Sequence, residues 1–325
     1  MRPLCVLRRE LLHLRGVASL APALARDGVG LATLIRRRRI AVVHSNTSVV
    51  LGGAAAAALA RVPHVWHVRE IYARFHRTWP AYRRLLLSAA ALPCVSQATA
   101  DQFGGDRRAM VIADGLAIDA RRAPRAQARR ALALDQGASV IAVLGRISDW
   151  KGQDVLVRAL AEPALRERRA IGVIAGLPWP GAEDRRERVL ALARELGVHE
   201  RVRLVGFRQD VETVYGAADV IAVPSTQPDP LPGAAIEAAA AGCAVVASAH
   251  GGLPEILRDG ETGRLVAPGD PAALALVIAE LLDDQRERER LGSAAAVEVR
   301  GRFASARQIS QIESLYDAVR SGTLP

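Results

Sequence analysis

Short apolar runs alternate with longer segments of helical periodicity along most of this chain. The runs at 41–43, 64–67, 92–95, 110–112, 140–144, 171–175, 202–205, 220–223 and 244–247 are built largely from Val, Ile, Leu and Ala. Most are bounded by Gly, Pro, Ser or Asp. Such runs, separated by helix-like segments, predict an α/β protein with a parallel sheet and covering helices.

The rhythm breaks at 117–137. This stretch is rich in Arg and Ala, carries Pro124, and ends at Gly137 just before the run 140–144. It is expected to link an N-terminal domain (1–116) to a C-terminal one (138–305). The N-terminal half is thinner, with four strand candidates behind a basic helical segment, 8–39. After Ala267 only helices are expected, starting at Pro271 with Asp270 as N-cap. The last of them, 306–325, is expected to pack back toward the N-terminal domain. Alternating charges at 283–290 read as a solvated helix face.

Composition adds constraints. Half of the 325 residues are hydrophobic but only 4% are aromatic, so Ala, Leu and Val must fill the cores. That favours helices packed closely on a sheet. The net charge is +10, and Lys151 is the one lysine among 44 basic residues. A basic balance favours anionic partners such as nucleoside diphosphates, lipid phosphates or an acidic membrane surface. Nucleic acid is not expected, because the basic residues are not interleaved with aromatics and no zinc-finger, homeodomain or RNP-like pattern occurs. Cys5, Cys94 and Cys243 are far apart and form no CxxC pair. This argues against a disulfide framework and a zinc site and fits a reducing cytoplasm. No apolar run approaches the ~18 residues of a spanning helix. The apolar start is cut by Arg8, Arg9 and Glu10 and does not read as a signal peptide.

Four segments at strand ends carry candidate chemistry. The first runs from Gly145 through Arg146 and Lys151 to Gly152, after the run 140–144. Ligands of open α/β sheets sit at strand C-termini. Gly145 permits a close turn, Arg146 offers a bidentate fork for phosphate oxygens, and Lys151 a compact charge. A solvated loop with two surface cations is the plainer alternative, but a lone lysine in an arginine-only chain favours function. The Gly-Lys-Ser/Thr of a Walker loop is absent.

The second segment is the proline-rich loop Pro224-Ser225-Thr226-Gln227-Pro228-Asp229-Pro230-Leu231-Pro232, leading through Gly233 and Ala234 to Glu237. Gly233 is expected to open a helix whose free N–H groups can receive an anion. Glu237 would lie about one turn inside it. Carboxylates at 229 and 237 suit sugar and ribose hydroxyls. They would equally serve as anions favoured by the helix dipole.

The third is Val65-Trp66-His67-Val68-Arg69-Glu70. His67 reads either as a substrate contact or as a satisfied histidine at a strand end. His44-Ser45-Asn46-Thr47 is a similar polar strand end. The fourth, His250-Gly251-Gly252-Leu253-Pro254-Glu255, is a tight turn into a helix and either approaches a ligand or is purely structural. Gly28-Val29-Gly30 lacks the third glycine of a dinucleotide fingerprint, and no His, Cys and Asp cluster has metal spacing.

The ordered set Gly145-Arg146…Lys151-Gly152, Arg203-Leu204-Val205-Gly206-Phe207, Ala218-Asp219-Val220…Pro224-Ser225, Asp229-Pro230…Glu237-Ala238…Ala241-Gly242 and Gly252-Leu253-Pro254-Glu255 resembles glycosyltransferase family 4. The N-terminal strand ends at 43–47 and 65–70, and Cys94-Val95-Ser96-Gln97, resemble it more weakly.

The resemblance implies the GT-B fold, with two Rossmann-like domains whose parallel sheets face an interdomain cleft. It implies a retaining transfer from a UDP- or GDP-linked sugar to a glycan or lipid-linked acceptor, with no metal and no cofactor. Arg146 and Lys151 would hold the diphosphate, Glu237 the ribose, and Asp229 the sugar. Gly145 and the backbone of Leu231, Pro232, Gly233 and Ala234 would line the donor. His67 would lie beside the transferred sugar, with Ser45, Asn46, Arg69 and Glu70 toward the acceptor.

Asp229 stands where the family usually has Glu, one methylene longer. The opening strand, Gly-rich loop and helix of the family are not found, so the N-terminal domain is expected to be incomplete, with a piece of roughly 30 residues or more lacking. The basic segment around Arg36–Arg39 suggests a peripheral contact with an anionic membrane on its cytoplasmic side. The alternatives are a nucleotide-sugar-binding protein or fragment without catalysis and, disfavoured by the missing fingerprint, a Rossmann oxidoreductase.

Overall fold

The computed structural model describes Val6 and residues 14–72, 75, 77–116 and 118–324. The chain divides into two compact units, one drawn from Met1–Asp114 and Ala306–Pro325, the other Gly115–Ser305.

The second unit is a six-stranded parallel sheet. Its strands follow four in the first unit: β1 (Val43–Ser45), β2 (His64–Trp66), β3 (Leu92–Cys94) and β4 (Ala109–Val111). They are β5 (Val140–Leu144), β6 (Ile171–Ala175), β7 (Val202–Gly206), β8 (Val220–Val223), β9 (Ala244–Ser248) and β10 (Arg264–Val266). Their order is β10-β9-β8-β5-β6-β7, with every pairing parallel. β5 and β8 are apolar at every position because helices cover both faces of such a sheet. One face joins Ile141, Val143, Val220 and Val246 to Leu156, Leu160 and Ile278 in a single buried cluster. The order reverses between β5 and β8. This is the topological switch point, where a crevice opens outside the strand ends.

Over its described residues, 118–137, the segment read as a linker is folded onto this unit. It carries the helix Arg125–Ala131, whose Arg129 is fully buried. Arg129 donates to the carbonyls of Ala217 (3.1 Å), Asp135 (3.1 Å), Gln136 (2.6 Å) and Ala138 (2.8 Å). It also donates to Asp219 Oδ2 at 2.9 Å. The same oxygen accepts the N–H of Val140, the first residue of β5. Arg-rich sequence reads as solvated; here one arginine knits three backbone segments together.

In the first unit β1 pairs with β2 and β3 with β4, all parallel, and bridges at Val65↔Ala91 and Val68↔Cys94 join β2 to β3. Alternate residues face opposite ways. Val65 packs with Ile112 and with Leu315 and Val319 of the helix Ser305–Ser321, whereas Trp66 packs with Leu86, Leu92 and Phe103. Leu315 and Val319 are one helical turn apart and so share a face.

The first strand lies at 43–45 rather than at 41–43. The helix Leu14–Arg38 ends late, Arg39 turns through φ 51°, and the Ile40 N–H returns to the Ile35 carbonyl at 3.0 Å. Residues 41 and 42 carry the chain to the position where Val43 faces His64. Residues 8–13 of the expected basic helix lie outside the described residues. At the other end Asp270 caps the helix Pro271–Asp283 by accepting the Ala273 N–H at 2.9 Å. Among the described residues no helix is long and apolar enough to cross a membrane.

Candidate donor site

The loops after β5 and β8 meet at the switch point. Gly152, at φ 76°, lies so close to the second loop that a Cβ there would sit 1.9 Å from the Pro224 carbonyl oxygen. The Thr226 N–H donates to the Trp150 carbonyl at 2.9 Å, and the Gly252 N–H, from the loop after β9, to the Asp229 carbonyl at 2.8 Å. His250 Nε2 donates to the Ser225 carbonyl at 2.8 Å. Three loops are therefore stitched at one end of the sheet.

Across this seam Lys151 Nζ donates to Asp229 Oδ2 at 2.6 Å. Asp229 is buried and Lys151 half-buried. Lys151 Nζ also lies 4.4 Å from the centre of the Trp150 ring. The β5 loop is fixed by Gln153, whose Nε2 donates to the Arg146 carbonyl at 3.0 Å. Arg146 itself is exposed, with its guanidinium over the Trp179 ring, 3.3 Å from the centroid.

Beside these cations the helix Gly233–Ala240 begins at Pro232 with no side-chain cap. Its Gly233 and Ala234 N–H groups meet no acceptor among the described residues. Orphan donors at a helix start favour an anion. Leu231 is half-buried and Pro232 buried, so the loop presents its backbone rather than large side chains.

Glu237 is half-buried, and its Oε2 accepts the Tyr215 hydroxyl at 3.1 Å. Burial raises the Glu237 carboxyl above its usual value, and the Tyr215 hydrogen bond opposes this. The hydroxyls of Ser148 and Ser225 and the Oε1 of Gln227 are buried without a partner, so polar capacity is left over in both loops.

The first-unit candidates occupy their own polar cluster. His67 is buried, and its Nε2 has no partner. Its ring stacks on His44 at 5.5 Å and bonds to the backbone of Ile112. Burial foremost, with His44 and Arg69 nearby, pushes His67 down to about 4, so the ring is neutral at neutral pH. His44 Nδ1 meets the Tyr316 hydroxyl at 2.6 Å.

Ser45 Oγ bonds His64 Nε2 at 2.9 Å, and Asn46 is exposed. Arg69 forks onto Asp114, one of its two bonds measuring 2.7 Å. Glu70 accepts the hydroxyls of Thr47 and Ser48 and the Arg69 N–H, the last at 3.1 Å. Arg69 and Glu70, expected toward the acceptor, thus have intramolecular partners that organise the strand ends. Sequence reasoning missed Tyr215, Gln153 and Trp179. The signal for Trp179 was available: an aromatic between two prolines, directly after the run 171–175.

A doubly wound sheet with cations and open helix N–H groups at its switch point, in a chain that also carries a second parallel α/β unit, has the composition of a GT-B protein. Residues 124–297 match the family model of glycosyl transferases group 1, and residues 8–116 that of glycosyltransferase family 4. The chain belongs to this glycosyltransferase family.

The D-inositol 3-phosphate glycosyltransferase of Corynebacterium diphtheriae is 40% identical over 194 residues, 58% of this chain and 45% of the relative. Its namesake from Streptomyces coelicolor is 40% identical over 180 residues, 53% of this chain and 39% of the relative. The chain thus spans less than half the length of these curated relatives. Anabaena HepE, solved with UDP and glucose, superposes with a TM-score of 0.80 at 26% identity, covering 89% of this chain and 81% of HepE. Sucrose-phosphate synthase of Thermosynechococcus elongatus shares the fold, with a TM-score of 0.81 at 23% identity over 97% of this chain and 81% of its own.

Proposed function

We propose that this protein transfers a sugar from a nucleoside diphosphate donor to an acceptor hydroxyl, with retention at the anomeric carbon on the strength of the family resemblance. The observation that carries the reading is the meeting of Arg146, Lys151 and the uncapped helix start at Gly233 on one switch point. A diphosphate there would be neutralised by the two side chains and by the Gly233 and Ala234 N–H groups. Pre-placed positive groups of this kind stabilise the charge that grows on a leaving diphosphate.

In this reading Glu237, oriented by Tyr215, accepts from the ribose hydroxyls. Asp229 holds Lys151 until the donor arrives and then turns toward the sugar. His67, in the first unit, keeps an unpartnered Nε2 that is free to accept a hydrogen bond. UDP is the first nucleotide to try, because HepE holds it, with GDP beside it. Glycan, lipid-linked and phosphorylated polyol acceptors should be tried, the last because of the inositol 3-phosphate relatives.

The test is a panel of UDP- and GDP-sugars scored by melting temperature. A ligand at 100 times its Kd stabilises the fold by about 2.7 kcal/mol, so one nucleotide series should raise the melting temperature while the other does not. No shift with any nucleoside diphosphate would remove the reading. The Lys151–Asp229 contact keeps one alternative in view, a donor-binding protein without turnover. Measurable consumption of the donor that binds best excludes it.

The basic end of the helix Leu14–Arg38, with exposed Val29 and Leu34, is read as a contact for an anionic surface. Co-sedimentation with phosphatidylglycerol vesicles should drop when Arg36 and Arg37 become Gln. Unchanged co-sedimentation would dismiss that contact.

A further inference from the structure

The two cations of the candidate site are held in opposite ways. Lys151 is tied to a carboxylate, whereas the side chain of Arg146 makes no hydrogen bond and no ion pair among the described residues. Its recorded contact is the face of Trp179. A ring takes the flat face of a guanidinium and leaves the in-plane N–H donors open. A carboxylate would have taken those donors and cancelled the charge. Stacking therefore fixes the direction of the group while keeping it available to an oxyanion.

The ring is itself well placed to do this. The loop that carries Trp179 is joined to the Arg146 loop by Gly145 N–H to Ala175 O at 2.9 Å and Ile147 N–H to Leu177 O at 3.2 Å. Gly176, at φ 153°, lets the two backbones touch; a Cβ there would lie 2.0 Å from the Gly145 carbonyl oxygen. With both loops pinned at their roots, the ring and the guanidinium are presented at the same strand ends. Trp179 is nevertheless 55% exposed, so it is not a core residue held for packing. Arg146 is partly desolvated, which lowers its proton affinity somewhat and strengthens any bond it makes to an anion.

We propose that Trp179 is a positioning residue for the donor diphosphate: it holds the Arg146 guanidinium, N–H edge free, for the phosphate oxygens. This rests on the donor reading given above, and the two are separable by experiment. Calorimetric titrations with UDP, GDP and uridine are compared for the wild type, Trp179→Ala, Trp179→Phe, Arg146→Gln and the Trp179→Ala/Arg146→Gln double variant.

Loss of the ring should weaken binding of the preferred diphosphate roughly two- to fivefold, the size of an exposed cation–π contact. Binding of uridine should not change. Trp179→Phe should recover most of the affinity, and Trp179→Ala should cost nothing further once Arg146 is Gln. An equal loss for uridine and UDP would make Trp179 a base-stacking residue and overturn the proposal. So would an equal loss with and without Arg146, or no loss at all. A wild-type protein that binds neither UDP nor GDP overturns the donor reading itself.

Discussion

The Arg129→Ala variant should melt roughly 6–20 °C below the wild type, the equivalent of about 3–5 kcal/mol for removing one partner of a buried ion pair in a unit of this size. The side chain is fully buried and donates to four carbonyls and to Asp219. Its removal strands those carbonyls and leaves buried Asp219 with the Val140 N–H and, as its one cation, the half-exposed Arg125 2.5 Å away. Unpartnered buried charge, rather than lost attraction, is the main cost. The double change Arg129→Met/Asp219→Asn should therefore be milder than Arg129→Met alone. Equal melting of wild type and Arg129→Ala, followed by circular dichroism, would show that the segment 118–137 is not anchored as described.

The second large effect concerns Lys151. Lys151→Gln should lower donor turnover, expressed as kcat/KM, by roughly 100-fold to 1,000-fold, the range seen when one pre-placed charge-stabilising donor is deleted. The variant also leaves buried Asp229 without its cation, so a fall in activity alone has two explanations. Lys151→Gln/Asp229→Asn separates them. If Lys151 serves only to satisfy Asp229, the double variant melts and turns over like Asp229→Asn alone. If Lys151 acts on the diphosphate, it melts like Asp229→Asn but turns over far more slowly than that single variant.

Much of the second unit could be read from the sequence. Strands covered on both faces leave continuous apolar runs, and 140–144, 171–175 and 220–223 coincide with β5, β6 and β8. The first unit was harder. Its strands are only three residues each, and β1 slipped by two positions because the preceding helix ends through a left-handed arginine. The strand β10, Arg264-Leu265-Val266, is too short and too polar at its start to stand out.

Arg129 was illegible for a different reason. No local pattern distinguishes a buried arginine from its solvated neighbours when its acceptors lie up to 90 residues away. The candidate site divides in the same manner. Arg146, Lys151, Asp229 and Glu237 are marked by motif and by the rarity of lysine. Their partners Trp179, in the loop after β6, and Tyr215, in the helix Val211–Ala217, come from distant parts of the chain and become visible only when it is folded.

The most direct measurement is a crystal structure of the protein soaked with UDP. Phosphate oxygens should lie about 3 Å from Lys151 Nζ and from the Gly233 or Ala234 N–H, with the Arg146 guanidinium turned edge-on to them. A diphosphate bound elsewhere, with Lys151 still closed on Asp229, would contradict the account.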